Sequence, residues 1–416
     1  RAEPFARRSW RHRPPRERTS RGRLATSGRR SPISAVRTDR GRHSLESEGT
    51  AVLPTSEILL LGPGPSPVSA RVMAALATPQ RSHLDGELVQ ILDRIRTNLD
   101  RAFRAGTGAR TLAVSGTGTA AMEAAVANVT EPGRRALVVV NGYFGDRLAQ
   151  MLARYGAAVS RVDGEWGRAV DPDAVRRALV AQPADIVAMV HAETSTGVRN
   201  PVAEIAAIAR EHDALMVVDA VTSLGAMPLE VGAWQIDVCY ACSQKGLGAP
   251  SGLSPITFSA RALARRVNCR SFYFDLGLLE SYWVERKYHH TISAPLVYAL
   301  DAALAEVDDE GIDARWQRHE DNHHGLVAAL SATGLTLLPP AADRLWSLNA
   351  VRVPDGVDEA RVRTRLRQHD KIEIGAGLGP LAGRIWRIGL MGSGSTAANV
   401  QRVAEALGLA LAPAPA

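Results

Sequence analysis

Lysine, cysteine and aromatic residues are scarce in this 416-residue chain, and it contains no long apolar run. Three cysteines are too few to hold together a secreted scaffold of this length, which favours a reducing compartment. The apolar runs at residues 186–190 and 214–218 have the length of strands, whereas a membrane-spanning helix needs about 20 apolar residues. We therefore expect a soluble globular protein whose 45% of hydrophobic residues build one large and one smaller core.

The positive charge is concentrated at the start of the chain. Residues 1–50 contain 14 basic and 5 acidic residues, whereas the rest contains 36 basic and 38 acidic ones. This Arg-rich, aromatic-poor leader is predicted to be disordered. It could be an organellar transit peptide, a nucleic-acid-binding arm or an upstream extension of the reading frame in a GC-rich genome. We favour the extension, expect neither nucleic acid nor a membrane as a partner, and expect a bacterial cytoplasm, with a mitochondrial matrix as the alternative.

Cysteine and histidine pairs give little support for a metal site. Cys239 and Cys242 form a C-x-x-C pair, but they lie in an apolar run at residues 236–242 that is typical of a strand. Positions three apart in a strand face opposite sides, so core packing is favoured over a metal or a disulfide. His289 and His290 have no accompanying carboxylate cluster, and no metal site is predicted.

From residue 111 onward, short β-rich runs alternate with helical stretches, which predicts an α/β fold with a doubly wound, mainly parallel sheet. Strands are predicted at residues 111–114, 135–140, 157–162, 185–190, 215–219, 236–240 and 254–258, with helices at 119–129, 144–155, 172–180 and 201–211. Asp171 before Pro172 and Asn200 before Pro201 are predicted to be the N-cap and first-turn pairs of the last two helices. After residue 310 the order becomes helix 313–332, strand 345–353, helix 358–368, strands 372–375 and 385–389, and helix 397–409. We therefore predict a leader at 1–50, a segment at 51–85 that reaches an active-site rim or a partner, a large domain at 86–310 and a small α+β domain at 311–416.

Two polar motifs follow predicted strands at the edge where α/β sheets bind ligands. Ser115-Gly-Thr-Gly-Thr119 begins a helix, so its backbone N–H groups and hydroxyls suit a phosphate, with a simple tight turn as the alternative. Asp219 closes the apolar run Leu-Met-Val-Val. A carboxylate there needs a cation or strong donor, such as the protonated ring nitrogen of pyridoxal phosphate, unless it only caps the strand.

Two cations stand in apolar surroundings. Lys245 follows an apolar strand and is one of only three lysines, against 47 arginines. Lysine can lose its proton and form an imine, which arginine cannot do, although an ordinary surface lysine is the alternative. Arg387 lies within Trp-Arg-Ile-Gly-Leu and favours bidentate pairing with a substrate carboxylate, with an internal salt bridge as the alternative.

Taken in order, these motifs resemble those of the alanine–glyoxylate and serine–pyruvate aminotransferase family, which are class V, fold type I enzymes dependent on pyridoxal 5′-phosphate. The likeness extends from about residue 60 to residue 407. The passages that carry it are Gly62-Pro-Gly-Pro65, Ser115-Gly-Thr-Gly-Thr119, His191-Ala-Glu-Thr-Ser-Thr-Gly197, Val218-Asp-Ala-Val-Thr-Ser-Leu-Gly225, Ser243-Gln-Lys245, Tyr288-His-His-Thr291 and Trp386-Arg-Ile-Gly389.

The resemblance implies a role for each of these residues. Lys245 would carry the cofactor through an imine and move the proton at the substrate α-carbon, and Asp219 would pair with the ring nitrogen. Arg387 would bind the substrate carboxylate beside the Gly64 loop. The remaining cofactor contacts would be Thr117, Gly118, Thr119 and Gln244 at the phosphate, Phe144 on the ring face, Thr194 near the ring hydroxyl, and Tyr288 and Thr291 from the second subunit of a homodimer.

Three of these positions depart from the animal enzymes. Phe144, Thr119 and Thr194 stand where those enzymes have Trp, His and Ser. A phenylalanine still stacks, with less area, and the two threonines keep a backbone N–H or a hydroxyl available. The departures therefore bear on specificity rather than on the reaction type.

A second resemblance concerns the substrate. Passages such as Tyr273-Phe-Asp-Leu276 and Gly379-Pro-Leu-Ala-Gly383 are similar to the ureidoglycine–glyoxylate aminotransferases of purine breakdown. Those enzymes have Asn where Phe272 stands and Gln near His83. Because Phe272 would leave the ureido group unpaired, at a cost of roughly 1–3 kcal/mol, we rank ureidoglycine second.

The leading expectation is therefore a ping-pong transfer of an amino group from alanine or serine to glyoxylate, which yields glycine. Phe272 and His83, together with Thr194 and Arg387, are expected to decide the substrate. A cysteine desulfurase is disfavoured because no cysteine follows Cys269. A non-catalytic regulatory protein that binds the cofactor is the alternative from another class.

Overall fold

The computed structural model describes residues 57–412, and the leader predicted at 1–50 lies outside that range. Its strands are β1 (Leu59–Leu60), β2 (Arg110–Ser115), β3 (Arg135–Val140), β4 (Ala158–Asp163), β5 (Ile186–Val190), β6 (Ala192–Glu193), β7 (Val198–Arg199), β8 (Leu215–Asp219), β9 (Val238–Tyr240), β10 (Leu253–Phe258), β11 (Leu348–Arg352), β12 (Ile372–Glu373), β13 (Gly375–Ala376) and β14 (Ile385–Gly389). Its α-helices are α1 (Ala70–Leu76), α2 (Gly86–Phe103), α3 (Gly118–Val129), α4 (Tyr143–Arg154), α5 (Pro172–Ala181), α6 (Val202–Glu211), α7 (Ala260–Ala264), α8 (Leu276–Trp283), α9 (Ala294–Glu310), α10 (Ile312–Ala332), α11 (Glu359–Arg365) and α12 (Ala397–Leu411).

Seven strands form one sheet in the order β2-β10-β9-β8-β5-β3-β4. Neighbours along β9-β8-β5-β3-β4 are parallel, and β10 runs antiparallel to both β2 and β9. This arrangement confirms the predicted α/β class with a mainly parallel sheet.

The central strands are continuous apolar runs because helices cover both faces of the sheet. β5 and β8 are buried along their whole length, as parallel strands in a doubly wound sheet usually are. Helix α4 packs on β3, α6 on β8 and α3 on β9 and β10.

Strand register brings the ligand-binding edge together. Val190 at the end of β5 is level with Asp219 at the end of β8, which in turn is level with Tyr240 at the end of β9. The turn that contains Lys245 follows β9, and the loop that opens α3 follows β2. Asp219, Lys245 and the start of α3 therefore share one edge of the sheet.

A second hydrophobic cluster lies in the later part of the chain. Its residues include Leu61, Leu326, Trp386, Ile388 and Val403, all of them buried. Strand β14 pairs antiparallel with β11 and β13, while β12 pairs in parallel with β1 from the start of the described chain. Helices α10 and α12 pack against each other beside this small sheet.

Local boundaries differ from the sequence prediction at three places. The predicted strand at residues 372–375 is two short strands in different sheets, because β12 pairs with β1, far away in sequence. The predicted helix at 358–368 is α11 followed by a π-helical turn at Leu366–Asp370. The predicted strand at 236–242 is limited to β9, so Cys242 lies beyond its end; both Cys239 and Cys242 are buried free thiols.

One predicted helix start is confirmed and one is wrong. Asp171 caps α5, since its carboxylate accepts from Asp173 N, and Pro172 occupies the first turn. Asn200 does not cap α6, because its amide donates to Val190 O and bonds reciprocally with Asn141. Within residues 57–412, no helix combines the length and the apolar character needed to span a bilayer.

Candidate active site

Lys245 lies in a largely enclosed position after β9. Its Nζ donates to Pro63 O. Its backbone is held by the segment that contains Pro63, since Ser66 Oγ donates to Lys245 O at 2.8 Å and Ser66 N donates to Gln244 O at 2.9 Å. Burial lowers the pKa of Lys245, and the nearby Arg387 guanidinium lowers it further. The site therefore shifts the amine toward its uncharged, nucleophilic form.

Gly64 packs directly against the side chain of Lys245. Its φ of +112° lies in the region that side-chain residues rarely adopt, and a Cβ at this position would overlap Nζ. Both the backbone conformation and the lack of room for a Cβ favour glycine here. The Gly64 loop, which was predicted to line the substrate pocket beside Arg387, contacts Lys245.

Asp219 is a buried carboxylate without a counter-ion among the described residues. Its Oδ1 accepts from Val221 N at 2.8 Å, and burial raises its pKa to about 7. A cation beside this carboxylate would restore the charged form. The protonated ring nitrogen expected from the sequence is such a cation.

The loop from Thr117 to Thr119 opens α3 with free backbone donors. Thr117 is the N-cap residue and makes no side-chain cap bond. The loop is held against β10 by two hydrogen bonds at Gly116. Gly116 N donates to Gly252 O at 2.8 Å, and Ser254 Oγ donates to Gly116 O at 2.9 Å. An uncapped helix start favours an anion.

These groups line one cavity of about 170 Å³. Of the predicted site residues, the cavity brings together Thr117, Gly118, Thr119, Phe144, Thr194, Asp219, Gln244 and Lys245. An uncapped helix start lies at one side of it and an unpaired carboxylate at another. The residues present therefore fit a molecule that carries both a phosphate and a cationic ring nitrogen, as pyridoxal 5′-phosphate does.

Phe144 is held in place by a residue that the sequence argument did not single out. The carboxylate of Glu193, which is fully buried, accepts from Phe144 N at 3.2 Å and Gly145 N at 3.1 Å, and from Ser195 N and Oγ on its other oxygen. Burial raises the pKa of Glu193, while these donors act in the opposite direction. In the sequence it appeared only within the passage His191-Ala-Glu-Thr-Ser-Thr-Gly197, for which the resemblance implied no role at Glu193.

Arg387 is a buried guanidinium in β14. Its Nε donates to Ala376 O at 2.6 Å and its Nη1 to Thr194 O at 3.3 Å, and burial lowers its pKa to about 10. No carboxylate of residues 57–412 forms an ion pair with it, so the internal salt bridge considered from the sequence is absent there. A donor fork held by carbonyls alone suits an external carboxylate.

Six predicted residues do not line this cavity. Gly64 and Arg387 lie next to it, since Gly64 packs on Lys245 and Arg387 donates to Thr194 O, but the other four lie elsewhere. Phe272 and Tyr288 are 73% and 64% exposed, and Thr291 is exposed as well. The His83 ring lies 5.2 Å from the Tyr288 ring, and Phe272 stacks on His289. Within one protomer these side chains do not reach Lys245; for Tyr288 and Thr291 this agrees with the expectation that they act on a second subunit.

Comparisons with known proteins agree with this geometry. A family model described as aminotransferase class-V matches residues 62–398. The chain is 36% identical over 362 residues to an alanine–glyoxylate aminotransferase of Drosophila melanogaster, covering 85% of this chain and 92% of that protein. Among solved structures, an alanine–glyoxylate aminotransferase from Nostoc sp. superposes with a TM-score of 0.84 at 43% identity, covering 86% and 97% of the two chains. A ureidoglycine–glyoxylate aminotransferase from Bacillus subtilis gives 0.83 at 36% identity, covering 86% and 94%.

Proposed function

Because the chain belongs to the aminotransferase class-V family, whose cofactor is pyridoxal 5′-phosphate (PLP), we propose that it transfers an amino group from alanine or serine to glyoxylate and so produces glycine. The observation that carries the proposal is the convergence of three groups at one site. Lys245 is a buried amine, Asp219 is a carboxylate without a counter-ion, and Arg387 is a guanidinium without a carboxylate.

Asp219, the start of α3 and Phe144 are proposed to bind different parts of the cofactor. PLP, when bound, draws electrons from the bonds at the substrate α-carbon. Asp219 would hold the ring nitrogen and keep it protonated, the N–H groups at the start of α3 would hold the phosphate, and Phe144 would cover one ring face. Together these residues would position the cofactor beside Lys245.

Lys245 moves the proton. Its lowered pKa favours the uncharged form of the amine, so Nζ can accept the α-hydrogen of the donor amino acid as a proton. Arg387 binds the α-carboxylate and so orients the amino acid toward Nζ. The same two groups serve glyoxylate in the second half of the reaction. The mechanism is ping-pong because the first keto acid leaves before glyoxylate binds.

The identity of the amino donor depends on the residues around Arg387. Relatives named for alanine and for ureidoglycine are similar to this chain to nearly the same degree. We favour alanine or serine because both donors need only the carboxylate site at Arg387. Phe272 lies outside the Lys245 cavity of its own chain, and it would offer no hydrogen bond to a ureido group if a second copy brought it to the site. Ureidoglycine is the second candidate.

We also propose that two copies of the chain share their sites. Phe272, Tyr273 and Tyr288 are exposed large side chains on one stretch of chain, and His83 contacts Tyr288. A second copy that covers this surface would remove apolar area from water and could bring Tyr288 and Thr291 to the phosphate of the other copy.

The proposal is tested by supplying glyoxylate together with alanine, serine or ureidoglycine and following glycine formation. Lys245→Ala should lower turnover at least about a thousandfold, because the residue that moves the proton is gone. Lys371→Ala serves as the control, since this lysine is exposed and donates to Gln368 O, away from the surface around Tyr288. Full turnover by Lys245→Ala would contradict the assignment of the proton-moving residue, and a parent protein that binds PLP but transaminates none of the donors would favour the regulatory alternative.

A further inference from the structure

Arg147 faces the same cavity as the predicted cofactor residues, although no sequence motif pointed to it. It lies one turn after Phe144 on α4, so the two side chains share a face of the helix. Its Nη1 donates to Thr119 Oγ1 at 3.2 Å, and its guanidinium carbon lies 5.1 Å from the centre of the Phe144 ring. Arg147 therefore connects the start of α3 to the aromatic residue of the site.

The charge of the phosphate calls for such a residue. A phosphate ester is close to a dianion at neutral pH. The donors at the start of α3 and the Gln244 amide are neutral, and of the side chains that line this cavity only Lys245 and Arg147 are basic. Lys245 is assigned to the reacting end of the cofactor, which leaves Arg147 as the remaining cation.

Arg147 also has donors to spare. A guanidinium carries five N–H groups, and the contact with Thr119 uses one of them. Its neighbour Asp146 pairs with Arg161 instead, and Arg147 forms no ion pair with a carboxylate of the described chain. Its remaining donors lie beside the residue whose backbone N–H is proposed to hold the phosphate.

We infer that Arg147 binds the cofactor phosphate and supplies the positive charge that the neutral donors of the α3 loop lack. The inference rests on the placement of the phosphate at Thr117–Thr119 proposed above. A competing role is that Arg147 only packs on Phe144 and Tyr143 through cation–π contacts. The two roles predict different effects on ligand binding. If Arg147 acts by packing, its loss weakens binding of any ligand with the same ring; if it binds the phosphate, its loss weakens binding only of a ligand that carries a phosphate.

Pyridoxal, which has the same ring and no phosphate, separates the two. The parent protein, Arg147→Met and Arg147→Lys are freed of cofactor, and the dissociation constants of PLP and of pyridoxal are measured by equilibrium dialysis and by the visible absorbance of the bound ring. Loss of a charge-assisted contact predicts roughly 10- to 100-fold weaker PLP binding in Arg147→Met, with pyridoxal binding unchanged. Arg147→Lys should retain part of the PLP affinity because it retains the charge.

Arg154→Met is the matched control, since Arg154 is an exposed arginine at the end of the same helix. Equal losses for PLP and pyridoxal in Arg147→Met would show that the residue acts on the ring, and unchanged PLP affinity would show that it binds nothing; either overturns the inference. If Arg147→Met does not fold, Arg147→Lys carries the same comparison. A parent protein that fails to bind PLP would instead sink the proposed function.

Discussion

Asp219 is expected to destabilise the protein whenever the cofactor is absent. Burial raises the pKa of its carboxyl from an ordinary 3.8 to about 7, so the folded state holds a proton that the unfolded state releases. Between about pH 4 and pH 7 this group's contribution to stability therefore falls as pH rises. In cofactor-free protein, Asp219→Asn should be more stable than the parent at pH 8, by on the order of 4 kcal/mol.

Urea unfolding of the two cofactor-free proteins at pH 5 and pH 8 measures this difference. The gap should be roughly 1.6 kcal/mol at pH 5 and about 4 kcal/mol at pH 8. It should reverse with PLP bound, because an amide cannot hold a protonated ring nitrogen. A gap of the same size at both pH values would mean that the carboxyl of Asp219 does not carry a raised pKa.

At the scale of single residues, sequence reasoning reached the groups whose chemistry is unusual for their surroundings. Lys245 stands out because lysine is rare in the chain, and Asp219 and Arg387 stand out because each is charged within an apolar strand. Glu193 and Arg147 were missed for a physical reason. Each acts through a contact between α4 and another element, and such a contact leaves no local pattern in the sequence.

Buried hydrogen bonds connect helix α10 to the turns after β8 and β9 and to the turn after β14. Arg315 donates to Gly225 O at 3.1 Å and to Gly246 O at 2.9 Å, directly after Lys245, and pairs with Glu310. His319 donates from Nδ1 to Arg315 O, and its Nε2 accepts from Gly392 N at 3.1 Å. Burial lowers the pKa of His319 to about 3, which keeps the ring neutral and able to accept.

Arg315→Met should therefore destabilise the protein by roughly 2 to 4 kcal/mol, because two buried carbonyls lose their donor. Gln317→Met on the exposed face of α10 is the matched control, with an expected change near zero. Chemical denaturation of both variants measures the effect. Equal stability of the two would mean that the Lys245 turn does not depend on α10.

At the scale of helices and strands, predictions succeeded where the signal is local. Asp171 before Pro172 starts α5 as predicted, since the cap and the first turn need only adjacent residues. Asn200 before Pro201 presents the same local signal, yet its side chain bonds Asn141, directly after β3, and Val190 at the end of β5. The pairing of β12 with β1 likewise depends on residues more than 300 positions apart. Tertiary contacts of this kind override local preference.

For the whole molecule, the resemblance and the cofactor expected from the sequence are confirmed by the family match and by the solved structures. One expectation concerns two copies of the chain: Tyr288 of one copy is predicted to contact the cofactor phosphate of the other. Tyr288 is exposed and distant from the Lys245 cavity of its own chain, although the resemblance assigns it to the phosphate. A shared site would explain both facts.

Shared sites predict that two inactive variants restore activity when their subunits are mixed. In a dimer of one Lys245→Ala chain and one Tyr288→Ala chain, one site carries both substitutions and the other carries neither. After complete subunit exchange, about one quarter of all sites should be intact, since half of the dimers are mixed. Transaminase activity of the unfolded and refolded mixture, compared with each variant alone, measures this recovery.

The control exploits a residue that belongs to the same protomer as Lys245. Arg387 reaches Thr194 of its own chain, so mixing Lys245→Ala with Arg387→Ala leaves every site with one defect, and no activity should return. Recovery in both mixtures would indicate refolding effects rather than shared sites. No recovery in either, with a dimer demonstrated by sedimentation, would place Tyr288 outside the site. His290, two residues after Tyr288, lies 2.6 Å from Ser115 Oγ at the start of the α3 loop of its own chain. If activity recovers, the chain around Tyr288 would therefore contact two sites: the α3 loop of its own copy and the phosphate site of the partner.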